Sequence, residues 1–381
     1  HNPEQFKLTF KPEMLLLARK NLVMTGADVK MTVETLKKIP FIVNFACQLD
    51  EISEFADVVF PDVHVLERLD LFPNKYHLAV SPTSGYWYWA ARIPVVPPRG
   101  SGRYWIEALF DLAERAGFLG DFNEMLTMET NEAWAIKGDA FHLDRNKKYS
   151  WEEVCDLQAK AMFGPEHGLD WFRKHGVYKQ KRSVEETYPG PFIKPRFPIY
   201  FDHYVRAGQE VKKVTQQAGI EWDTSDYQFL PDWKPCPSYE EMEKKQSVYD
   251  LFAVNFKLPI HAHSFTMANP WLAELGEHHP WAYKLIMNTE TAKKKGLNDG
   301  DLVWVESEVG KQKGHLKTTE CIHPEVVGIA GAFGSWAKGK PMAVGKGLHY
   351  NALVPLNLKR MDFVSTVLDS CLRVRVWKAS E

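Results

Sequence analysis

The pattern of apolar and polar positions is clearest in the last third of the chain, where a helix, a tight turn and a strand follow one another. Residues 289–295 are helix formers with Asn288 or Thr289 available as N-cap, and Gly296 stands where a helix ends in the left-handed conformation. Residues 298–301 form a turn signal because Asn and Gly tolerate positive φ, and residues 302–305 favour a strand. We therefore expect a short helix that leads directly into a strand.

A second pattern, near the start of the chain, predicts a strand, helix, strand unit. Residues 21–25 are a short apolar run that ends at Gly26, residues 33–38 have helical spacing, and residues 41–45 are a second apolar run. Such strands pair in parallel through a right-handed crossover. Ligands bind beyond the carboxyl ends of the strands, so we expect the turns at 25–28 and 46–51 to border a site.

The region between these two patterns predicts helices and long loops. Helical spacing is present at 105–117, 151–163 and 240–246, whereas residues 72–102 are rich in proline, glycine and aromatic residues. We interpret 72–102 as a surface connection held by aromatic packing; the alternative is a docking surface for another subunit. The predicted organisation is an α/β domain over 1–75, a connecting region over 76–250 and a β domain over 251–381.

Composition and charge exclude few classes of protein. The 381 residues are 45% hydrophobic and 25% charged, which is typical of a globular chain, and the length suits two or three domains. A net charge of -2 gives no field that favours nucleic acid, and no apolar run approaches the length of a transmembrane segment. The five cysteines form no Cys-x-x-Cys pair, so neither a disulfide framework nor a zinc or cluster site is indicated.

Polar side chains suited to ligand binding lie just before the predicted helix and strand. Lys257 is followed by His261, His263, Ser264 and Thr266, set between apolar runs. Taken alone, two histidines two residues apart are typical of a strand edge or of a transition-metal pair, and cofactor contact is a third interpretation. The spacing leaves all three open.

Taken together, these segments resemble a known family. The order His-x-His-Ser, Asn-x-x-x-Ala-x-x-x-Gly-Leu and Asp-Gly-Asp-x-Val-x-Val, which stands at 261–264, 288–297 and 299–305, is similar to the C-terminal domain of the molybdopterin oxidoreductases, the dimethyl sulfoxide reductase superfamily. The resemblance implies α/β plus β architecture: a partial Rossmann-like parallel α/β domain, an irregular connecting region and a six-stranded double-psi β-barrel. It also implies that the barrel binds a molybdenum or tungsten bis-molybdopterin guanine dinucleotide.

Further segments resemble the same family. Residues 50–61 are similar to its Thr-Glu-Thr-Ala-x-x-Ala-Asp-Val-Val-Leu-Pro segment, and residues 25–28 stand where members have Gly-Ser/Ala-Asn-Pro. Residues 347–353 are similar to Gly-x-Asn-x-Asn-x-Leu, with His349 in place of the first Asn. Residues 362–365 resemble the start of Asp-Pro-x-Ser-Gly. The resemblance implies cofactor contacts by Thr25, Gly26, Asp28, Asp50, Glu51, Lys257, His261, His263, Ser264, Thr266, Asn288, Asn351 and Asp362.

Two parts of the family pattern have no counterpart in these residues. The Cys-x-x-Cys-type motif for a [4Fe-4S] cluster and the residue that ligates the metal stand upstream of the matched part, so no catalytic residue or protein metal ligand is predicted here. We expect the C-terminal half of a catalytic subunit, either a fragment or a split gene product. Its expected partners are the N-terminal remainder with its cluster, a small-molecule substrate and an iron-sulfur electron-transfer subunit. Localisation in a prokaryotic cytoplasm, periplasm or membrane-associated complex depends on the upstream residues.

Several functions stay open. Within the family, the alternative to an oxidoreductase is a non-redox molybdenum or tungsten hydratase or hydroxytransferase. Outside it, a cofactor-free double-psi barrel is an interaction module, which predicts a smooth, convex surface at 261–266. A nucleotide-dependent Rossmann enzyme is disfavoured because residues 25–28 are no Gly-x-Gly-x-x-Gly fingerprint. The 13 Trp and 22 Phe weakly favour an organic, aromatic substrate.

Overall fold

The computed structural model of the protein describes residues 3–71, 79–81, 86–134, 136, 138–181, 183, 185, 200–239, 248–261 and 263–379. The chain forms two compact units, the first from residues 1–44, 48–59 and 198–381 and the second from residues 45–47 and 60–197. The domain boundaries proposed from the sequence, at 75 and 250, remain a prediction. In the part of the chain just delimited, no helix combines the length and the apolar composition that crossing a bilayer requires.

The N-terminal part of the chain forms a small sheet with two helices. Its elements are β1 (Met14–Ala18), α1 (Leu22–Thr25), α2 (Val29–Leu36), β2 (Phe41–Ala46) and β3 (Val58–Pro61), with the strands in the order β1-β2-β3. The backbone N–H of Asp57 donates to the carbonyl of Ile42 at 2.8 Å and that of Asp62 donates to Ala46 at 3.0 Å, so β2 and β3 run in the same direction. The predicted helix and second strand are confirmed.

The strand predicted at 21–25 is wrong, because this segment is the helix α1 and the preceding strand is β1. Asn21 caps the helix, since its side chain accepts a hydrogen bond from the Met24 N–H at 3.2 Å. The N–H of Gly26 closes the turn on the carbonyl of Leu22 at 2.8 Å. Periodicity alone does not separate a buried helical turn from a strand in so short an apolar run.

The second unit is helical, with one small antiparallel sheet. Its helices and strands are β4 (Ala79–Ser81), β5 (Tyr86–Ala90), α3 (Trp105–Arg115), α4 (Leu119–Trp134), α5 (Trp151–Phe163), α6 (Leu169–His175) and β6 (Val177–Lys181), and the strands lie in the order β4-β5-β6. The predicted helices α3 and α5 are confirmed, and the helix predicted at 240–246 lies outside the described residues. Part of the expected surface connection is strand β5, whose Trp89 is buried against Phe163 with ring centroids 5.2 Å apart.

The rest of the first unit contains helix α7 (Asp202–Ala218) and a closed β-barrel. The barrel strands are β7 (Leu251–Phe256), β8 (Lys284–Asn288), β9 (Leu302–Glu306), β10 (Lys311–Thr319), β11 (Val326–Ala330) and β12 (Leu372–Lys378), in the cyclic order β10-β8-β11-β7-β12-β9. The pairs β10 with β8 and β11 with β7 are parallel, and the other four pairs are antiparallel. The predicted six-stranded barrel, closed by the last strand, is therefore confirmed.

The barrel interior follows from the alternation of side chains along each strand. Val303 and Val305 of β9 are fully buried, as are Leu285 and Met287 of β8, and they belong to one apolar cluster. Burial of each such side chain stabilises the fold by about 1.5–3 kcal/mol. The pattern of β9 thus fixes which face of the strand lies inside.

Short helices join the barrel strands. Helix α8 (Pro270–His278) precedes β8, and helix α9 (Thr289–Lys294) follows it. The side chain of Asn288 caps α9 by accepting from the Glu290 N–H at 3.0 Å, and Gly296 follows the helix with φ +68°. The predicted helix, turn and strand are confirmed, including the cap.

Candidate functional site

A cleft of about 370 Å³ lies in the first unit, beside the barrel. The end of α1, the segment that follows β7 and the loops around 331 and 350 provide its walls. The lining residues are Met24, Thr25, Asn255, Lys257, Leu258, His261, His263, Ser264, Gly331, Ala332, His349, Tyr350 and Asn351. We call this space the polar cleft. Its concave shape does not fit the smooth, convex surface that an interaction module predicts at 261–266.

His349 lines the polar cleft and uses one ring nitrogen to hold the neighbouring chain. Its Nε2 lies 3.0 Å from the carbonyl oxygen of Met24, which also accepts from Nδ2 of Asn351 at 2.9 Å. Because a carbonyl only accepts, Nε2 carries the proton. Burial lowers the pKa of His349, so the ring is neutral at pH 7 and Nδ1 has a free lone pair. Nδ1 is buried and has no hydrogen-bond partner within the described part of the chain.

His261 is the second buried histidine of the cleft, with 7% of its surface exposed. Its Nδ1 lies 3.3 Å from Oγ1 of Thr266, and its ring packs edge-on against Phe333 with centroids 5.4 Å apart. Burial lowers the pKa of His261, and the positive charge of Lys346 adds to that effect. Nε2 is buried and finds no partner among the residues described. Both histidines therefore line the same cleft, and each has one buried ring nitrogen without a partner among the described residues.

The backbone that borders the polar cleft is strained at two places. His263 has φ +53° and Ala332 has φ +78°, a left-handed conformation that non-glycine residues rarely adopt. Such conformations cost about 1–3 kcal/mol and persist where the surrounding structure imposes them, often at ligand sites. Gly334 also has a positive φ, of +81°, and no side chain fits there, because a Cβ would lie 2.4 Å from the backbone nitrogen of His349. The loops are thus held in shape by close packing against each other.

Glu51 is the centre of a buried polar network that joins the sheet to the loop after β11. Its side chain is fully buried and accepts hydrogen bonds from Nδ2 of Asn21 at 2.7 Å and from the hydroxyl of Ser335. Lys340 lies 3.5 Å away and is itself 3% exposed. Burial opposes ionisation, but the hydrogen bond from Ser335 and the charge of Lys340 outweigh it, so the pKa of Glu51 is lowered. The Glu51 carboxylate is therefore ionised at pH 7.

Lys340 connects this network to the histidine segment. Its Nζ lies 3.4 Å from the backbone carbonyl of Ser264, which lines the polar cleft. Asp50, the neighbour of Glu51 in sequence, has a different hydrogen-bond partner. Its carboxylate accepts from the Ser53 hydroxyl at 2.8 Å. Burial raises the pKa of Asp50, although the hydrogen bonds from Ser53 oppose that rise. Glu51 thus supports the cleft from behind its lining through Lys340, whereas Asp50 is bound to Ser53.

The structure brings six of the thirteen predicted contact residues to the polar cleft: Thr25, Lys257, His261, His263, Ser264 and Asn351. The other seven do not line it. Among these, Asn288 and Asp28 cap helices α9 and α2, and Gly26 ends α1. Asp362 accepts hydrogen bonds from the Ser365 backbone and hydroxyl and borders a different surface cavity. The remaining three, Asp50, Glu51 and Thr266, make side-chain hydrogen bonds to other residues of the chain.

Sequence reasoning missed several lining residues. His349 was noted only as a replacement for an Asn, and Met24, Asn255 and Ala332 carried no motif. Lys340 was also missed, since a lysine in a Gly-Lys-rich loop is typical of a solvated surface. The only available signal for His349 was its place in the Gly-x-Asn-like segment at 347–353.

The polar cleft suits a flat heterocycle that carries both hydrogen-bond donors and acceptors. Its volume of about 370 Å³ lies within the range of small-molecule sites. The lone pair on Nδ1 of His349 needs an N–H donor, and the exposed Lys257 can meet a phosphate. A pterin or guanine edge with an attached phosphate offers these groups. The residues therefore fit a pterin dinucleotide.

Comparison with protein families agrees with this chemistry. Residues 4–115 match the model described as molybdopterin oxidoreductase, and residues 251–362 match the model described as Molydopterin dinucleotide binding domain. The chain belongs to the molybdopterin oxidoreductase family.

Individual relatives lead to the same family. Over 358 residues, which cover 91% of this chain and 42% of the relative, the chain is 25% identical to the molybdopterin-containing subunit of thiosulfate reductase from Salmonella typhimurium. It is 24% identical over 332 residues to a sulfite dehydrogenase subunit from Allochromatium vinosum, covering 79% of this chain and 33% of that relative.

A solved structure with the same fold is acetylene hydratase from Pelobacter acetylenicus. The TM-score is 0.62 at 16% sequence identity, and the match covers 99% of this chain and 46% of the hydratase. The chain thus spans less than half the length of each of these proteins.

Proposed function

We propose that this chain is the C-terminal, cofactor-binding part of the catalytic subunit of a molybdenum- or tungsten-dependent oxidoreductase. The polar cleft holds one end of a bis-molybdopterin guanine dinucleotide, and the barrel, which we assign double-psi topology, forms one wall of that site. A volume of about 370 Å³ accommodates a pterin or a guanine with its phosphate, not the whole cofactor. The remainder of the cofactor extends onto residues outside this chain.

The observation that carries this proposal is the pair of unused imidazole nitrogens. A buried polar atom without a partner costs about 1–3 kcal/mol, and His261 and His349 each have one beside the same cleft. A ligand with complementary polar edges removes that cost at both positions. Two such atoms at one cleft favour a resident polar ligand over an empty groove.

Each group then has a defined task. His349 accepts a hydrogen bond through Nδ1 while Nε2 and Asn351 hold the carbonyl of Met24, and Lys257 contributes positive charge near a phosphate. Lys340 fixes the backbone of Ser264, so the histidine segment keeps its place. The metal held by the pterin dithiolenes supplies two-electron chemistry when the cofactor is bound. These residues orient the cofactor and exclude water from its polar edges.

We propose that the whole protein contains an N-terminal part with a [4Fe-4S] cluster and the metal ligand, and that it transfers electrons to an iron-sulfur subunit. Thiosulfate reductase and sulfite dehydrogenase are named for small sulfur compounds, which supports a small-molecule substrate. A second candidate is a non-redox hydratase of the same superfamily, because acetylene hydratase has this fold. Electron transfer to or from a viologen dye with substrate present distinguishes the two.

The test is metal and pterin analysis of the full protein that carries this chain, with variants. His261→Ala should lower the bound molybdenum or tungsten and pterin by about tenfold or more, because it removes a polar contact in the cleft. The matched control is Asn288→Ala, which removes a helix cap away from the cleft and should retain the cofactor. Thermal melting of both variants separates cofactor loss from unfolding.

Two results would contradict the proposal. Wild-type protein without metal or pterin would remove the cofactor altogether. Equal cofactor loss in the His261 and Asn288 variants, at equal stability, would place the cofactor somewhere other than the polar cleft.

A further inference from the structure

Two cysteines that are far apart in the sequence meet beside the start of the last barrel strand. Cys236 and Cys371 are half-buried and carry free thiols, and the two thiols are in side-chain hydrogen-bond contact. Cys371 directly precedes β12, and neither cysteine lines the polar cleft. Their spacing in the sequence does not indicate a pair, so this contact is a product of the folded chain.

The backbone around the two thiols is held together by other contacts. The Ser238 side chain, two residues after Cys236, is fully buried, and its hydroxyl donates to the carbonyl of Cys371. Nη1 of Arg360 donates to the same hydroxyl at 3.0 Å, and the N–H of Cys371 donates to the Asp369 carboxylate at 2.9 Å. The two cysteines are therefore held beside each other by more than the contact of their sulfur atoms.

The segment at 200–239 has little buried surface of its own to hold it. Helix α7 has one buried residue, Gly208. The loop after the helix reaches the stretch before β12 through Tyr227, whose hydroxyl donates to the carbonyl of Phe363 at 3.1 Å, and through Trp222, whose ring centroid lies 4.9 Å from that of Phe363. A covalent link at Cys236 would add to this attachment.

Two thiols in contact are well placed for oxidation to a disulfide. A disulfide requires that the two side chains face each other at short range, which thiols in hydrogen-bond contact do. Once one thiol has reacted, attack by the second is intramolecular and has a high effective concentration. Ser238 and Cys371 are 133 residues apart in the sequence, so the link would close a long loop, and long loops give the largest stabilisation in the chain-entropy description.

We propose that Cys236 and Cys371 form a disulfide bond by exchange with an external disulfide, and that this bond attaches residues 200–239 to the stretch that precedes β12. The Cys236 thiolate attacks one sulfur of the external disulfide, which gives a mixed disulfide and releases one thiol. Cys371 then loses its proton and attacks Sγ of Cys236, which releases the second thiol. The two cysteines are oxidised, and the external disulfide is reduced to two thiols.

The order of the two steps follows from the surroundings of Cys371. Burial raises the pKa of Cys371 to about 11, so this thiol is protonated at pH 7 and is a poor first nucleophile. Cys236 is therefore the group that attacks the external disulfide, and Cys371 completes the exchange.

The first test is peptide mapping of the full protein that carries this chain. The protein is equilibrated with mixtures of oxidised and reduced glutathione, remaining thiols are blocked with iodoacetamide, and the digest is analysed by mass spectrometry without reductant. The peptides that contain Cys236 and Cys371 should appear as one linked species, lighter than their sum by two hydrogen atoms. Dithiothreitol should separate them.

Substitutions show which thiols are needed. Cys236→Ser should abolish the linked species and leave Cys371 alkylated. The matched control is Cys321→Ser, which removes an exposed cysteine and should keep the linked species. Separate recovery of the two wild-type peptides at every glutathione ratio, or recovery of Cys236 only as its glutathione adduct, would overturn the proposal without reference to any variant.

The second test measures what the bond does for stability. Oxidised wild-type protein should melt about 2–5 °C above the reduced protein, because the link restricts the unfolded chain. In Cys236→Ser the melting temperature should be the same in both glutathione buffers, and Cys321→Ser should keep the full increment. Equal melting temperatures for linked and reduced wild-type protein would contradict the proposed attachment.

Discussion

The barrel interior and the border of the polar cleft obey different rules. The interior is apolar, and residues such as Leu285 and Val303 need only volume and strand alternation to fit. The cleft border contains neutral histidines and strained backbone, as His349 and His263 show, and a buried charge, Glu51, lies behind it. The barrel therefore supplies rigidity, and its rim supplies the polar groups that a ligand needs.

This contrast separates polar residues that are satisfied from those that are not. Asn288 uses its side chain to cap α9 and to donate to the carbonyl of Ile322 at 3.0 Å. His349 uses one nitrogen for Met24 and leaves the other free. Asn288 and His349 both belong to segments that resemble the family. Of these two, only His349 can offer a buried hydrogen bond to a ligand without losing one that the fold requires.

The largest expected effect follows from breaking the buried ion pair at the cleft border. Lys340→Met leaves the Glu51 carboxylate without its countercharge and should lower the free energy of unfolding by about 3–5 kcal/mol. Urea unfolding, followed through a signal that reports on the first unit, measures this change in the free energy of unfolding. The double variant Glu51→Gln with Lys340→Met should recover part of the loss, because no charge then remains buried. A single variant within 1 kcal/mol of wild type, or a double variant less stable than the single, would show that the pair does not hold the border.

The barrel interior should respond to a change of volume alone. Leu285→Ala should lower the free energy of unfolding by about 2–5 kcal/mol, because the side chain is fully buried and leaves a cavity. The control is Leu275→Ala on α8, where the leucine is 55% exposed and the expected change is within about 0.5 kcal/mol. Bound pterin, measured well below the melting temperature, should be unchanged in both. Selective cofactor loss in the Leu285 variant would mean that the interior also shapes the cleft.

A smaller effect concerns pH. Burial lowers the folded pKa of His349, so the unfolded chain binds a proton first as the pH falls. The corresponding stability is fully present above the ordinary histidine pKa of about 6.5 and is lost as the pH falls from there through the lowered folded value. His349→Gln keeps an N–H for the Met24 carbonyl but should flatten this part of the stability profile. Exposed His315→Gln should leave the profile as in wild type, and an unchanged slope in the His349 variant would contradict the assignment.

Local signals were enough for much of the barrel. The N-cap of α9, the turn before β9 and the strand β9 itself are each encoded within a few adjacent residues, and all were predicted correctly. The segment at 21–25 was not, because three apolar residues suit a strand as well as a turn of helix, and the cap by Asn21 decided between them. Prediction therefore succeeded where capping and periodicity agreed and failed where the run was short.

The candidate site shows the same division at longer range. The histidine segment was found from its residues, since His261, His263 and Ser264 are adjacent and polar. The internal contacts of Glu51 were not visible in the sequence, because its partners Ser335 and Lys340 lie almost 300 residues away. A motif match identifies a residue as important, but it does not tell whether the side chain faces a ligand or another part of the chain.

The sequence by itself indicated the family and, through that resemblance, a six-stranded barrel. It also determined the helix α9 with its cap and the strand β9, because capping, β-propensity and motif order are short-range properties of the chain. Only the tertiary structure decided which polar residues meet at the polar cleft and which are occupied behind it. The physical reason is that a hydrogen bond is a matter of a few tenths of an ångström between groups that can be far apart in sequence. The ring nitrogens of His261 and His349 that have no partner among the described residues are therefore recognisable only in the folded chain.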